Sequence, residues 1–202
     1  MYELAKRTFD IAAALLLLGL TYPAMLLIAL AIRSESPGGA IFRQQRAGFR
    51  GKAFTMLKFR SMRSDAFGYG RSPEAGDDPR LTGVGRWLRE TSLDELPQLF
   101  NVLRGEMSLV GPRPLYMRQA AQWDRRQRRR LDVRPGITGW AQIHGRGEIP
   151  IEEKIELDLW YVEHRCFGLD LRILLATFLK TAAPGASVYE KQYSHVQQRE
   201  RY

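Results

Sequence analysis

The chain has 202 residues, and 31 lysines and arginines against 22 aspartates and glutamates give it a net charge of +9. That length suits one domain with its own core, and the charge points to an anionic partner: nucleic acid, phospholipid headgroups or a phosphorylated substrate. A single cysteine, Cys166, excludes an intrachain disulfide and suits a cytosolic location for the bulk of the chain; the three histidines (His144, His164, His195) fit no zinc spacing, and there is no Walker loop and no G-x-G-x-x-G.

The first element is "FDIAAALLLLGLTYPAMLLIALAI", residues 9 to 32, in which Asp10 is the one charged residue. As a helix it would be about 36 Å long, enough to cross a hydrocarbon core of about 30 Å. It is too long for the apolar region of a signal peptide and no small-residue cleavage site closes it, so it reads as a membrane anchor, residues 1–34. Pro23 sits near its middle, where it has no N–H for the carbonyl of Gly19; the Thr21 hydroxyl is one substitute partner. Two topologies follow: a kinked spanning helix, or a helix broken at Pro23 that enters and leaves one leaflet. Lys6 and Arg7 precede the segment and Arg33, Arg43, Arg46, Arg50 and Lys52 follow it. Basic flanks prefer the cytoplasm, and a re-entrant hairpin satisfies both.

The remainder, a cytoplasmic domain over 35–190 with a polar tail at 191–202, reads as mixed α/β and helix-rich. Strand-like runs at 40–43 and 53–59, separated by Gly48 and Gly51, predict a hairpin. Residues 63–83 form a long polar loop without periodicity, a length usually tied to function or mobility. Helices are predicted at 84–104, about 114–132, 151–163 and 168–182. The last is apolar with few charges, which suits an interfacial amphipathic helix or a buried core helix. "WDRRQRRRLDVR", with six arginines in twelve residues, reads as a solvated face or as a surface drawn to anionic lipid. A nucleic-acid reading is disfavoured by the anchor and by the lack of any nucleic-acid module.

The chemistry concentrates in "RETSLDELPQLFN", residues 89–101. Ser92 and Glu95 have capping-box spacing, so Asp94 and Glu95 could simply begin a helix. Adjacent carboxylates can also hold a hard divalent ion completed by substrate phosphates, and a carboxylate can act as a nucleophile on phosphorus. Arg86 and Arg89 lie before the pair and Arg104 and Arg113 after it. "SLVGPRP", 108–114, is a stiff turn suited to fixing Arg113 for bidentate phosphate contact.

At these residues the chain resembles the bacterial sugar transferases, the monotopic phosphoglycosyl transferases that start glycoconjugate assembly on polyprenol phosphate. The resemblance runs in order through "KRTFD", "KFRSM" at 58–62, "TSLDELPQLFNVLRGEMSLVGPRP" at 91–114, "RPGITGWAQIHGR" at 134–146 and "DLWYVEH" at 158–164. One departure is Tyr22-Pro23 where the family has Ser-Pro. The resemblance implies transfer of a sugar-1-phosphate from a nucleotide sugar, with uridine the family habit, to polyprenyl phosphate at the cytoplasmic face of the bacterial inner membrane. It implies Mg²⁺, Asp94 as nucleophile, and Glu95 supporting the metal or proton transfer. Lys58, Arg60, Arg89 and Arg113 are the expected phosphate contacts, and Pro135, Gly136, Thr138 and Gln142 the expected nucleotide contacts. Anionic lipid is an expected partner and nucleic acid is not; a homo-oligomer is compatible with the sequence. The rival readings are a membrane-tethered basic scaffold and a nucleic-acid binder.

Overall fold

A computed structural model describes residues 1–64, 73, 75–145, 147 and 149–182. Residues 65–72 and 74 of the polar loop at 63–83, and the tail at 191–202 with His195, lie outside the described residues.

Helix α1, Tyr2–Glu35, runs through Pro23 as one helical element rather than two. The Thr21 hydroxyl donates to the carbonyl of Leu17, 2.7 Å away, one turn below it, and not to that of Gly19. The helix is long and apolar enough to cross a membrane. Its buried stripe, Asp10, Ala14, Leu18, Met25, Ile28 and Ile32, recurs at helical spacing and packs on the rest of the chain. The opposite face leaves Leu15, Leu16, Leu20, Leu26, Leu27 and Leu30 exposed.

Both ends of α1 are fastened to the same body. Near the start, Lys6 pairs with Asp170 at 2.8 Å, and Arg7 donates to the carbonyls of Val102 and Leu103. At the far end Glu35 accepts from the backbone N–H groups of Gly83 and Val84, at 2.6 and 3.0 Å. Those are orphan donors at a helix start, where a carboxylate is favoured by both hydrogen bonding and the helix dipole.

The predicted hairpin is present and longer than expected on its first arm. β1 (Ile41–Ala47) pairs antiparallel with β2 (Ala53–Phe59), in register Ile41 to Phe59. Phe54, Met56 and Phe59 of β2 enter the main core beside Leu88, Leu99 and Val102. A second, parallel pair joins β3 (Ser108–Val110) to β4 (Gly136–Thr138). The backbones meet here at Gly111 and Gly136: a Cβ on Gly136 would stand 2.1 Å from the Gly111 nitrogen, so only glycine allows the approach.

Two predicted helices are fragmented. Residues 84–104 form α2 (Gly83–Glu90), a 3₁₀ turn at Leu93–Glu95 and α3 (Gln98–Leu103). The division falls at Ser92, whose left-handed backbone (φ 58°) is uncommon for a residue with a Cβ. Ser92 therefore makes no side-chain cap, and the expected capping box is absent. Residues 114–132 form α4 (Met117–Ala121) and a 3₁₀ run at Gln127–Asp132. The short α5 (Trp140–His144) precedes α6 (Ile151–His164) and α7 (Phe167–Ala182), both close to expectation.

The arginine run is knitted to α6 rather than merely solvated. Arg126 pairs with Glu156 and Arg129 with Glu163 at the surface. Arg130 is 3 % exposed and pairs with Asp158, 1 % exposed.

Candidate active site

Asp94 and Glu95 sit on the 3₁₀ turn between α2 and α3, where the left-handed Ser92 turns the chain so that both carboxylates face inward. Three supports hold the surrounding cations. Lys58, on β2, is placed by the buried Asn101 of α3, whose amide accepts from Leu57 N–H and donates to the Thr55 carbonyl. Arg89 ends α2, and its Nε donates to the Ser61 hydroxyl at 2.8 Å. Arg113 stands in the Gly-Pro-Arg-Pro turn, whose backbone is tied by Gly136 N–H to the Pro112 carbonyl and by Arg130 to the Arg113 carbonyl.

The pair is chemically unequal. Glu95 Oε1 receives both Lys58 Nζ at 2.7 Å and Arg113 Nη1 at 3.0 Å. Burial by itself would raise this carboxyl, but the two cations outweigh it and hold it at about 2. Asp94 is only 7 % exposed, and the nearest cation contact is Lys58 at 3.7 Å. Burial pushes Asp94 above the ordinary carboxylate range, and the Glu95 charge adds to it; Lys58, Arg89 and Arg113 pull it partly back. Glu95 is thus a fixed anion that orders two cations and is poorly suited to carrying protons. Asp94 is the carboxylate with oxygen atoms less committed to cations.

A cavity of about 680 Å³ opens at this pair and is also lined by Lys58, Arg89, Arg113, Thr138 and Gln142. Its wall changes character by element. Leu17 of α1, Leu96, Leu109, Ile137 and Leu174 of α7 are apolar, whereas β1 and the start of α4 contribute Gln44, Arg46 and Tyr116.

Three of the expected contacts have partners or places within the fold itself. Arg60 lines the cavity, but its guanidinium donates to the carbonyls of Pro37, Ile32 and Ser36, closing the C-terminal end of α1. Helix ends leave carbonyls without partners, and Arg60 satisfies them here. Pro135 and Gly136 lie behind the wall: Pro135 accepts from Ser108 N–H, and Gly136 brings β4 against Gly111. They shape the turn that carries Arg113. Of the expected nucleotide contacts, Thr138 pairs with Thr177 of α7 at 2.7 Å, and Gln142 donates to Ile137.

The donor set fits Mg²⁺ in one way. Among the described residues no group of three or more His, Cys, Asp or Glu could cage a metal. Mg²⁺ commonly takes one or two carboxylates and completes its shell with water and substrate phosphate. Asp94, with Glu95 beside it, meets that requirement for an ion arriving with a diphosphate.

The profile of a family described as Bacterial sugar transferase matches residues 1–183. The sugar transferase EpsL of Bacillus subtilis is 47% identical over 87% of this chain and 86% of its own length. The UDP-glucose:undecaprenyl-phosphate glucose-1-phosphate transferase of Escherichia coli is 45% identical over 88% of this chain, which spans 40% of that protein. A UDP-N-acetylgalactosamine-undecaprenyl-phosphate N-acetylgalactosaminephosphotransferase of Aeromonas hydrophila is 41% identical over 88% of this chain and 43% of its own length.

Proposed function

The chain belongs to the bacterial sugar transferase family and is a transferase, and from that premise we propose that it moves a sugar-1-phosphate from a UDP-sugar to undecaprenyl phosphate through a covalent phosphosugar on Asp94. The observation that carries the reading is a buried carboxylate, Asp94, in the wall of a cavity that is cationic around it and apolar at Leu17 of α1, Leu96, Leu109, Ile137 and Leu174 of α7. A phosphate and a lipid tail require those two surfaces side by side.

In the first step an Asp94 oxygen forms a bond to the β-phosphorus of the UDP-sugar, and the bond from that phosphorus to the bridging oxygen breaks, releasing UMP. In the second step a phosphate oxygen of undecaprenyl phosphate attacks the same phosphorus, and the acyl-phosphate bond breaks to return Asp94 as a carboxylate. The two substrates come from different phases, and a covalent intermediate lets one site serve them in turn. Asp94 and Glu95 would hold Mg²⁺, which supplies neutralisation of phosphate charge and polarisation of the transferring group. Lys58, Arg89 and Arg113 stabilise the developing charge from fixed positions. The assay is release of UMP from a panel of UDP-sugars with undecaprenyl phosphate. A panel in which no UDP-sugar yields UMP or lipid-linked product sinks the reading.

Arg113→Lys keeps the charge and loses the planar fork, so turnover falls at least about tenfold, and Arg113→Ala falls further. Steady-state kinetics of both variants check this; near-wild-type rates in both would assign the Gly-Pro-Arg-Pro turn a purely structural part.

The same reading places the protein in the bacterial inner membrane with its catalytic domain on the cytoplasmic face. Both ends of α1 are tied to one domain by Lys6–Asp170 and Glu35–Gly83. A helix crossing the bilayer would need its ends on opposite sides of a core of about 30 Å. We therefore read α1 as monotopic, embedded by its exposed leucines, with α7 adding Leu171, Leu175, Phe178 and Leu179 as an interfacial helix. In a Cys166→Ser background, Glu3→Cys stays unlabelled by an impermeant thiol reagent applied to intact cells, and becomes labelled after permeabilisation. Labelling from outside would establish a spanning helix.

A further inference from the structure

The polar flank of the cavity holds a construction that the phosphate chemistry leaves unused. The Arg46 guanidinium carbon lies 3.7 Å from the centroid of the Tyr116 ring. Arg46 is held there by its neighbours: Nε and Nη2 donate to Gln44 Oε1 at 3.1 and 2.6 Å, and Nη1 donates to the Pro114 carbonyl at 3.4 Å. Tyr116 is anchored at its backbone, whose N–H donates to Gln119 Oε1 at 3.0 Å and whose carbonyl accepts from Gln119 N–H at 3.0 Å. Gln44, 8 % exposed, has its amide nitrogen 3.4 Å from the Tyr116 hydroxyl. An amide nitrogen carries two N–H donors, so one remains for another acceptor.

These residues line the same cavity as Asp94. Pro114 follows Arg113 in the chain and Tyr116 comes two residues later, and Arg113 is one of the two cations bound to Glu95. A stacked guanidinium and phenol is a planar, polarisable, cationic surface. Such surfaces take flat heterocycles by stacking, and the guanidinium adds attraction to a π face. A hydrocarbon tail gains nothing from them, and the cavity offers it Leu17, Leu96, Leu109, Ile137 and Leu174 instead.

We propose that Gln44, Arg46 and Tyr116 form the nucleobase platform of the donor site, which stacks the uracil ring and offers the Gln44 amide to a base carbonyl. This rests on the donor being a uridine diphosphate sugar. It moves the nucleoside away from Thr138 and Gln142, which the fold pairs with α7 and the Ile137 carbonyl, and leaves that side of the cavity for the lipid substrate.

The test measures UMP binding to the full chain in detergent by calorimetry, with KM values for UDP-sugar and for undecaprenyl phosphate alongside. Tyr116→Leu removes the ring and retains apolar bulk; Arg46→Met removes the guanidinium; Tyr116→Phe retains the stacking face. The first two variants weaken UMP binding and raise the UDP-sugar KM roughly tenfold or more, with the undecaprenyl phosphate KM unchanged. Tyr116→Phe stays close to wild type. UMP affinity within about twofold of wild type in both Tyr116→Leu and Arg46→Met, or a rise confined to the lipid KM, overturns the platform and leaves the transferase reading standing. A wild-type protein that binds neither UMP nor UDP overturns both. Melting temperatures of the variants separate a lost platform from a lost fold, and a variant that melts early is replaced by Gln44→Leu, for which the same weakening of UMP binding is expected and an unchanged affinity counts against the platform.

Discussion

Asp94→Asn abolishes turnover, by at least about 10⁴-fold, the order lost when a covalent nucleophile is removed, and does so without lowering the melting temperature. The substitution is nearly isosteric, but an amide nitrogen or neutral oxygen does not displace UMP from phosphorus. Stability is spared because burial already disfavours the charged form of Asp94, whose carboxyl is raised above its ordinary value near 3.8; removing that charge relieves a cost. Wild-type protein given UDP-sugar and Mg²⁺ without undecaprenyl phosphate gains the mass of one sugar phosphate on the peptide containing Asp94, and Asp94→Asn gains none. Rapid-quench mass spectrometry reads both. Absence of the adduct in wild type, with kinetics requiring both substrates bound together, would leave Asp94 as a metal ligand in direct transfer. The acid limb of kcat/KM carries the same signature. Glu95, held at about 2, stays ionised across the accessible range, so activity falls as pH drops through the raised pKa of Asp94.

Asp158→Ala has the largest expected effect on stability. It leaves Arg130 charged, 3 % exposed and without its carboxylate, at a cost of about 3–5 kcal/mol, which for a chain of this size is a fall of about 10 °C in Tm. The double variant Arg130→Met with Asp158→Leu regains most of that loss, because two apolar side chains of similar volume remove the buried charges together. Activity is not regained, since the Arg113 carbonyl has lost the donor that Arg130 supplied. Thermal unfolding and turnover measured together make the distinction. A Tm within about 2 °C of wild type for Asp158→Ala would show that Arg130 finds water or another partner. The neighbouring surface pair Arg126–Glu156 is the control, and its removal leaves Tm near wild type because exposed pairs contribute little.

The contrast between these two pairs also marks where sequence reading stops. Six arginines in twelve residues show no period that singles out one of them, so the burial of Arg130 depends on α6 laying Asp158 against it. The hairpin, α6 and α7 were legible because alternation and helical spacing are local properties. The fracture of 84–104 was not, since a left-handed Ser92 is a backbone event that tertiary packing imposes on an ordinary residue. The Asp94–Glu95 pair could be picked out as unusual, but its asymmetry depends on Lys58 and Arg113 arriving from β2 and the turn after β3. Arg60 and Arg89 look alike as basic residues near the motif; one closes α1 and the other faces the site. Gln44 and Arg46 carried a weak signal, as two polar residues two apart on one face of β1, and Tyr116 carried none until the fold set its ring beneath Arg46.

The fastening of α1 at its first turns has a consequence for how the protein is made. Tyr2 and Lys6 find their partner in Asp170, and the Tyr2 bond spans 168 residues of sequence. At about 5–20 residues per second, that carboxylate emerges roughly ten to thirty seconds after the anchor has left the ribosome. Throughout that interval the leucine-rich segment is complete while Tyr2 and Lys6 lack the carboxylate they share. Other groups must serve them until α7 is synthesised, so the latching of the helix head is a late step in folding.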